Sequence, residues 1–252
     1  MNKLTFIGNG NMALAIAQGL KEKFKFVVVG RSLESIAKFE ERLGVSVEAH
    51  LLDEYDITDQ SLIFCVKPAN LQEVSHKLKG TCNTLYSVLA GTTCKALKES
   101  ISSQYTIRAM PNLAASKMKS MTILTGDVEK ASISKELFGS IGETLWVEKE
   151  KELDIGTALS GSGPAYLALV AEALCDGAVK QGLKRADAMT LMRGLFDGFG
   201  TIIQDSHPAI LKDGVMSPAG TTAAGYGALE DGNVRASFIN AIEKAFSVTQ
   251  KE

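Results

Sequence analysis

An α/β half followed by an all-helical half is the fold class this sequence predicts, and three observations predict it. A short apolar run at 3–7 breaks into Gly8-Asn9-Gly10-Asn11-Met12-Ala13 and then into a helix-like stretch. Short β-rich runs alternate with helical patterns as far as residue 147. Beyond it the strand signals stop, and apolar residues recur only at helical spacing.

The elements follow in order. Residues 3–7 read as a strand and 14–23 as the helix after the glycines; 26–29 is a second strand at the βαβ distance. Helical periodicity at 35–43 precedes a strand at 45–49, and the apolar run 62–66 is a buried strand ending in Lys67-Pro68, with another helix from Ala69. Strands at 85–89 and 106–110 end in Ala90-Gly91 and Pro111-Asn112. Strands at 121–124 and 144–147 flank a helix at 128–140. The alternating charges of 148–152 suit a solvated linker. After it, helices are expected at 165–181, with Leu167, Val170, Leu174 and Ala178 on one face, at 186–203, and at 233–248. The expectation is a Rossmann-type dinucleotide-binding domain over 1–152 and a helical domain over 153–252. The latter is small to stand alone, so packing against a partner is expected.

Composition narrows the function. The chain has 252 residues, 45% hydrophobic, with a net charge of −2, which points to neither nucleic acid nor an anionic membrane as partner. The start lacks the pattern of a signal peptide, and the longest apolar candidate for a span, 166–179, carries Glu172 and Asp176, so a cytoplasmic protein is expected. Cysteines 65, 82, 94 and 175 lack C-x-x-C spacing and read as reduced, mostly buried thiols. Histidines 50, 76 and 207 are far apart, so no metal site is expected. Methionines 189 and 192 read as core.

The glycine motif carries the first chemistry. Gly8 lets the chain turn at the strand end, Gly10 lets backbone approach a pyrophosphate, and Ala13 permits close helix packing, with Asn9, Asn11 and Met12 completing the cradle at the helix N-terminus. After the second strand, where an NAD site carries a carboxylate, stand Arg31 and Ser32. A guanidinium matches a 2′-phosphate, so NADP(H) is expected over NAD(H). Ligands collect at the carboxyl ends of such strands, which adds Val66, Lys67, Pro68 and Ala90 as cofactor contacts. A second small-residue segment, 217–222, presents three hydroxyls and free backbone N–H groups before a helix, a geometry suited to a carboxylate.

The motifs G-N-G-N-M-A at 8–13, V-K-P at 66–68, R-A-M-P-N at 108–112, S-G-S-G-P-A-Y at 160–166 and S-P-A-G-T-T-A-A-G at 217–225 occur in one order over nearly the whole chain. In that order the sequence resembles the pyrroline-5-carboxylate reductases. The resemblance implies hydride transfer from NADPH, with NADH as a possible donor, to the imine of 1-pyrroline-5-carboxylate, giving L-proline. It places Thr222 at the ring nitrogen as the catalytic hydroxyl and the substrate carboxylate on Ser217, Gly220, Thr221 and Thr222, with Asp205 a candidate proton relay. It also implies a homodimer of interlocked helical domains and, in several members, rings of dimers. The chain departs from the family at Leu113-Ala114, usually Thr-Pro, and at Ala219, usually glycine, which alanine replaces without strain only if φ there is negative. Two other readings compete: another NADP-dependent imine or hydroxyacid reductase, and a non-catalytic NADPH-sensing dimer. The former commonly has an ionisable lysine or aspartate on the long helix, where this chain offers Tyr166, Glu172 and Asp176 and no lysine before Lys180; the latter has no use for Thr222.

Overall fold

The computed structural model describes residues 2–250. Contacts divide the chain into Met1–Ser162 with Lys244–Glu252, and Gly163–Glu243.

In the first unit, β1 (Asn2–Ile7), α1 (Asn11–Leu20), β2 (Phe24–Gly30), α2 (Leu33–Leu43) and β3 (Glu48–Leu51) form the opening β-α-β-α-β. Two short strands, β4 (Tyr55–Asp56) and β6 (Leu78–Lys79), pair apart from the main sheet. Between them lie β5 (Ser61–Phe64) and α3 (Leu71–Ser75). Then come β7 (Cys82–Ser87), α4 (Cys94–Ser100), β8 (Ser103–Met110), β9 (Ser120–Gly126), α5 (Ala131–Gly139) and β10 (Gly142–Trp146). The eight-stranded sheet runs β10-β9-β8-β7-β5-β1-β2-β3. From β3 to β8 all neighbours are parallel, and β9 reverses against β8. The chain thus leaves β1 toward β3 and returns to its other side at β5, which puts a topological switch point between β1 and β5, where a doubly wound sheet binds ligands.

Alternation along the strands covers both faces. Leu4, Phe6, Phe26, Val28 and Ile63 join Ala13, Ile16 and Phe138 from α1 and α5 in one core, while Ile7, Val27, Val29, Leu62 and Phe64 join Leu71 and Leu97 from α3 and α4 in the other. Local chemistry sets the element ends. Ser32 Oγ accepts the Ser35 N–H to cap α2, which stops at Gly44 with φ 75°.

Several expected boundaries move. The first helix starts at Asn11 rather than 14, because its first turn needs only a bare backbone N-cap at Gly10. The third strand is Glu48–Leu51 rather than 45–49; Val45 and Val47 instead pack beside the first core. The strands expected at 62–66 and 85–89 end at Phe64 and Ser87, and α4 was not legible as a helix.

The solvated linker expected at 148–152 is corrected: Glu150 opens α6 (Glu150–Gly156). Its alternating charges have a helical meaning, since Glu150 and Asp154 share one face. That face meets Arg108 of β8, which is 0% exposed. Arg108 Nη1 donates to Glu150 Oε1 at 3.0 Å and Nη2 to Asp154 Oδ1 at 2.7 Å, while Lys149 and Lys151 remain exposed. A π-helical turn, Thr157–Gly161, follows, and Asn112 Nδ2 donates to the Ser160 carbonyl at 3.0 Å.

The second unit holds α7 (Gly163–Lys180), α8 (Arg185–Ile202), α9 (Pro208–Val215), α10 (Thr221–Asp231) and most of α11 (Val234–Thr249). Among its described hydrophobic residues only Cys175 and Ala188 are fully buried, and Leu167, Leu174, Leu195, Phe199 and Ile202 are exposed. Met189 and Met192, expected in a core, are half-buried beside Cys175 along a groove between α7 and α8. The helical run Glu150–Lys180 is, by length and composition alone, apolar enough to cross a bilayer, more than the reading of 166–179 allowed. The four cysteines are free; Cys82 and Cys175 are buried, but Cys65 and Cys94 are only half-buried.

Candidate functional site

The cleft at the switch point has a volume of about 490 Å3 and is lined by Gly8, Asn9, Gly10, Arg31, Val66 and Lys67, together with Ser35, Lys38, Asn70 and Glu73. Gly8 adopts φ +98°, its N–H donates to Val29 O at 2.9 Å, and a Cβ there would fall 2.6 Å from the Cys65 carbonyl. Only glycine fits both constraints. At Gly10 the situation is opposite: φ is −79° and no heavy atom lies within 4 Å of where a Cβ would stand. That bare space faces the first turn of α1, whose N-cap has no side-chain hydrogen bond. Open backbone N–H groups and the positive end of a ten-residue helix there fit a pyrophosphate. Ala13 is fully buried.

Other expected cofactor residues lie outside the lining of this cleft. Asn11 Oδ1 accepts from both Arg42 Nη atoms at 3.3 Å, and Met12 packs beside the core. Ser32 Oγ accepts the Ser35 N–H to cap α2, which leaves its O–H free to donate; Ser35 and Lys38, one turn apart on that helix, line the cleft. Pro68 is exposed in the first turn of a 3-10 helix. Ala90 is exposed beside Gly91, which turns with φ +69° next to Thr249. Ser35 and Lys38 were within reach of sequence reasoning, because a helix over 35–43 already puts them on one face.

After that turn, Cys94 begins α4. Its N–H donates to Glu150 Oε1 at 2.7 Å. Burial first, and then the Glu150 carboxylate, push the Cys94 thiol up to about 12, so it is protonated at neutral pH and is no nucleophile.

In the second unit, Gly220 N-caps α10 and donates its N–H to Ser217 O at 3.0 Å. A Cβ at Gly220 would meet Ser217 Oγ at 2.3 Å. Thr221 and Thr222 begin the helix, exposed, and among the described residues no hydrogen bond engages the hydroxyls of Ser217, Thr221 or Thr222. The first turn has neither an acidic residue nor a side-chain cap, so hydroxyls and N–H groups together fit a carboxylate. Asp205 is exposed between α8 and α9.

Relatives bear on what these two sites serve. The pyrroline-5-carboxylate reductase of Helicobacter pylori is 31% identical over 97% of this chain and 98% of its own length. The chain belongs to the pyrroline-5-carboxylate reductase family. The reductase of Pisum sativum is 37% identical, covering 96% of this chain and 93% of the plant protein. The family model for pyrroline-5-carboxylate reductase dimerisation matches residues 150–252, and a model for NADP oxidoreductase, coenzyme F420-dependent, matches 3–91. Among solved structures, the Streptococcus pyogenes 1-pyrroline-5-carboxylate reductase superposes with a TM-score of 0.88 at 31% identity, over 98% of this chain and 97% of that one. The Plasmodium falciparum pyrroline carboxylate reductase with NADP bound gives 0.82 at 28%, over 98% of each.

For a member of the pyrroline-5-carboxylate reductase family, the departure at Ala219 has a structural consequence. Its φ is +55°, so the alanine does occupy the left-handed region that glycine tolerates. Ala219→Gly is expected to stabilise the second unit by about 1 kcal/mol; a thermal midpoint unchanged or lowered in the variant would contradict the strain. The other departure is mild: Leu113 is exposed and opens a 3-10 turn that Asn112 caps through the Ala114 N–H.

Proposed function

We propose that this protein reduces the imine of 1-pyrroline-5-carboxylate to L-proline, the last step of proline biosynthesis, with NADPH as the donor and NADH as a weaker one. The observation that carries the reading is the pairing of two anion cradles in one chain: bare helix N-termini at Gly10 and Gly220, the second lined with free hydroxyls. Bound NADPH supplies the hydride, and the ring imine once protonated is electrophilic enough to need no metal or covalent nucleophile. The chain's task is to orient. Residues 8–12 hold the pyrophosphate, and Arg31 with Ser32 takes the 2′-phosphate. Val66, Lys67, Pro68 and Ala90 border the rest of the cofactor. Ser217, Gly220 and Thr221 hold the substrate carboxylate, and Thr222 hydrogen-bonds the ring nitrogen.

In this reading 1–152 is the nucleotide domain and 153–252 the substrate and dimerisation domain. The protein works as a homodimer, with rings of dimers as a further assembly. The exposed apolar faces of α7 and α8 and the matched dimerisation model support it. Free cysteines agree with a cytoplasmic setting.

The experiment is steady-state oxidation of NADPH, and separately NADH, on addition of 1-pyrroline-5-carboxylate, with proline measured as product. No proline formed by either cofactor would overturn the assignment. In the same assay Arg31→Asp is expected to lower kcat/KM for NADPH by roughly 10-fold to 100-fold through loss of a charge-assisted contact, leaving NADH little changed. An equal loss with both cofactors would remove Arg31 from 2′-phosphate recognition.

A further inference from the structure

The buried Arg108 has a reach that the proposed chemistry does not use. In the sheet register Arg108 lies opposite Ser87, the last residue of β7, so it stands at the carboxyl edge, level with the start of the loop 88–93. In a doubly wound sheet this edge, on the β5-β7-β8 side of the switch point, receives the second mononucleotide half of a dinucleotide, here the nicotinamide half. The loop is fastened at both ends, and its first residue, Val88, donates its N–H to Phe64 O at 3.2 Å. At its start the Leu89 N–H reaches Ser87 Oγ at 3.3 Å. At its end the Cys94 N–H, an orphan donor at the first position of α4, finds its acceptor in Glu150, which lies far along the sequence on α6. Thr93 Oγ, the N-cap, already serves the Ala96 N–H.

Glu150 would not hold this position by itself, since its side chain is 36% exposed. Arg108, wholly buried, fixes it with one guanidinium nitrogen and spends another on Asp154. One carboxylate oxygen, Glu150 Oε1, therefore serves both the arginine and the loop. A core ion pair kept for packing alone has no need of the second bond.

We propose that Glu150, held by Arg108, is a positioning residue for the nicotinamide half of the cofactor, setting the loop 88–93 through the Cys94 N–H. This rests on the NADPH-dependent reading above. Glu150→Ala leaves the Cys94 N–H without its acceptor; Glu150→Gln keeps an oxygen there. Cys94→Pro cuts the same bond from the other side and leaves the ion pair intact. Proline is tolerated at a first helical position, and Thr93 already has the extended backbone (φ −73°, ψ 156°) that a residue before proline adopts.

The test is NADPH binding followed by cofactor fluorescence, with KM for each substrate and the thermal midpoint, on the full-length protein. Glu150→Ala and Cys94→Pro are expected to weaken NADPH binding about tenfold, with KM for the imine within about twofold of wild type, and Glu150→Gln to restore most of the loss. The proline variant is expected to do so with the midpoint little changed, which a purely structural role does not produce. Wild-type NADPH affinity in Cys94→Pro overturns the inference alone, even if Glu150→Ala fails to fold, and so does an equal loss in the Gln and Ala variants. Failure of the wild type to bind NADPH overturns the cofactor reading and this inference with it.

Discussion

Thr222→Ala lowers kcat by about 100-fold in the expected result, because on the proposed reading its hydroxyl oxygen accepts from the protonated ring nitrogen, and losing one such preorganised contact costs about two to three orders of magnitude. Geometry supports a specific role for this residue. Thr222 stands in the first turn of α10 with its hydroxyl unclaimed by any described residue, whereas a helix-capping threonine would spend it on a backbone N–H. The cofactor cradle lies in the other compact unit, so NADPH affinity is expected to remain within about twofold, and Thr222→Ser to retain most turnover. Unchanged turnover in the alanine variant would take this hydroxyl out of the mechanism. A matching loss of NADPH binding would make it structural.

The largest effect on stability is expected from Arg108→Ala. The substitution leaves Asp154, 7% exposed, without its counter-ion and Glu150 with the Cys94 N–H alone. Breaking a buried ion pair from one side costs about 3–5 kcal/mol, a large part of the stability of an ordinary domain. Urea denaturation reads it as a lowered midpoint at unchanged slope. Arg108→Met with Asp154→Leu removes both charges and is expected to recover at least half of the loss, since apolar replacements of such pairs are often neutral. A single-variant loss under 1 kcal/mol would mean that water reaches the cluster.

What was legible in the sequence follows from range. The β1-Gly8-α1 turn and the parallel order are written in local signals: a period of two in the strands, glycine where φ is positive, small residues where a helix meets the sheet. The hydroxyls of 217–222 were visible for the same reason. Glu150 was read as solvated linker because alternating charge has that local meaning, and its partner, Arg108, is separated from it by two strands and a helix. Nothing adjacent to Arg108 marks it as wholly buried. Ser32 has two local meanings that coexist, since its Oγ accepts the Ser35 N–H to cap α2 while its O–H stays free to donate. Leu167 and Leu174 had the right spacing for a helix, but periodicity does not say whether the covering surface lies in the same chain.

The first unit is discontinuous: its last piece, 244–250, comes after the whole of the second unit and includes Thr249, which abuts the Gly91 turn. During synthesis that turn must therefore wait until the intervening helices have left the ribosome. Bringing the two pieces together closes a loop of roughly 80 residues, an entropy penalty on the order of 4 kcal/mol. A fragment cut at Ser162 would carry every strand of the sheet and still lack the segment that backs Gly91, so the first unit is not a simple N-terminal piece of the chain.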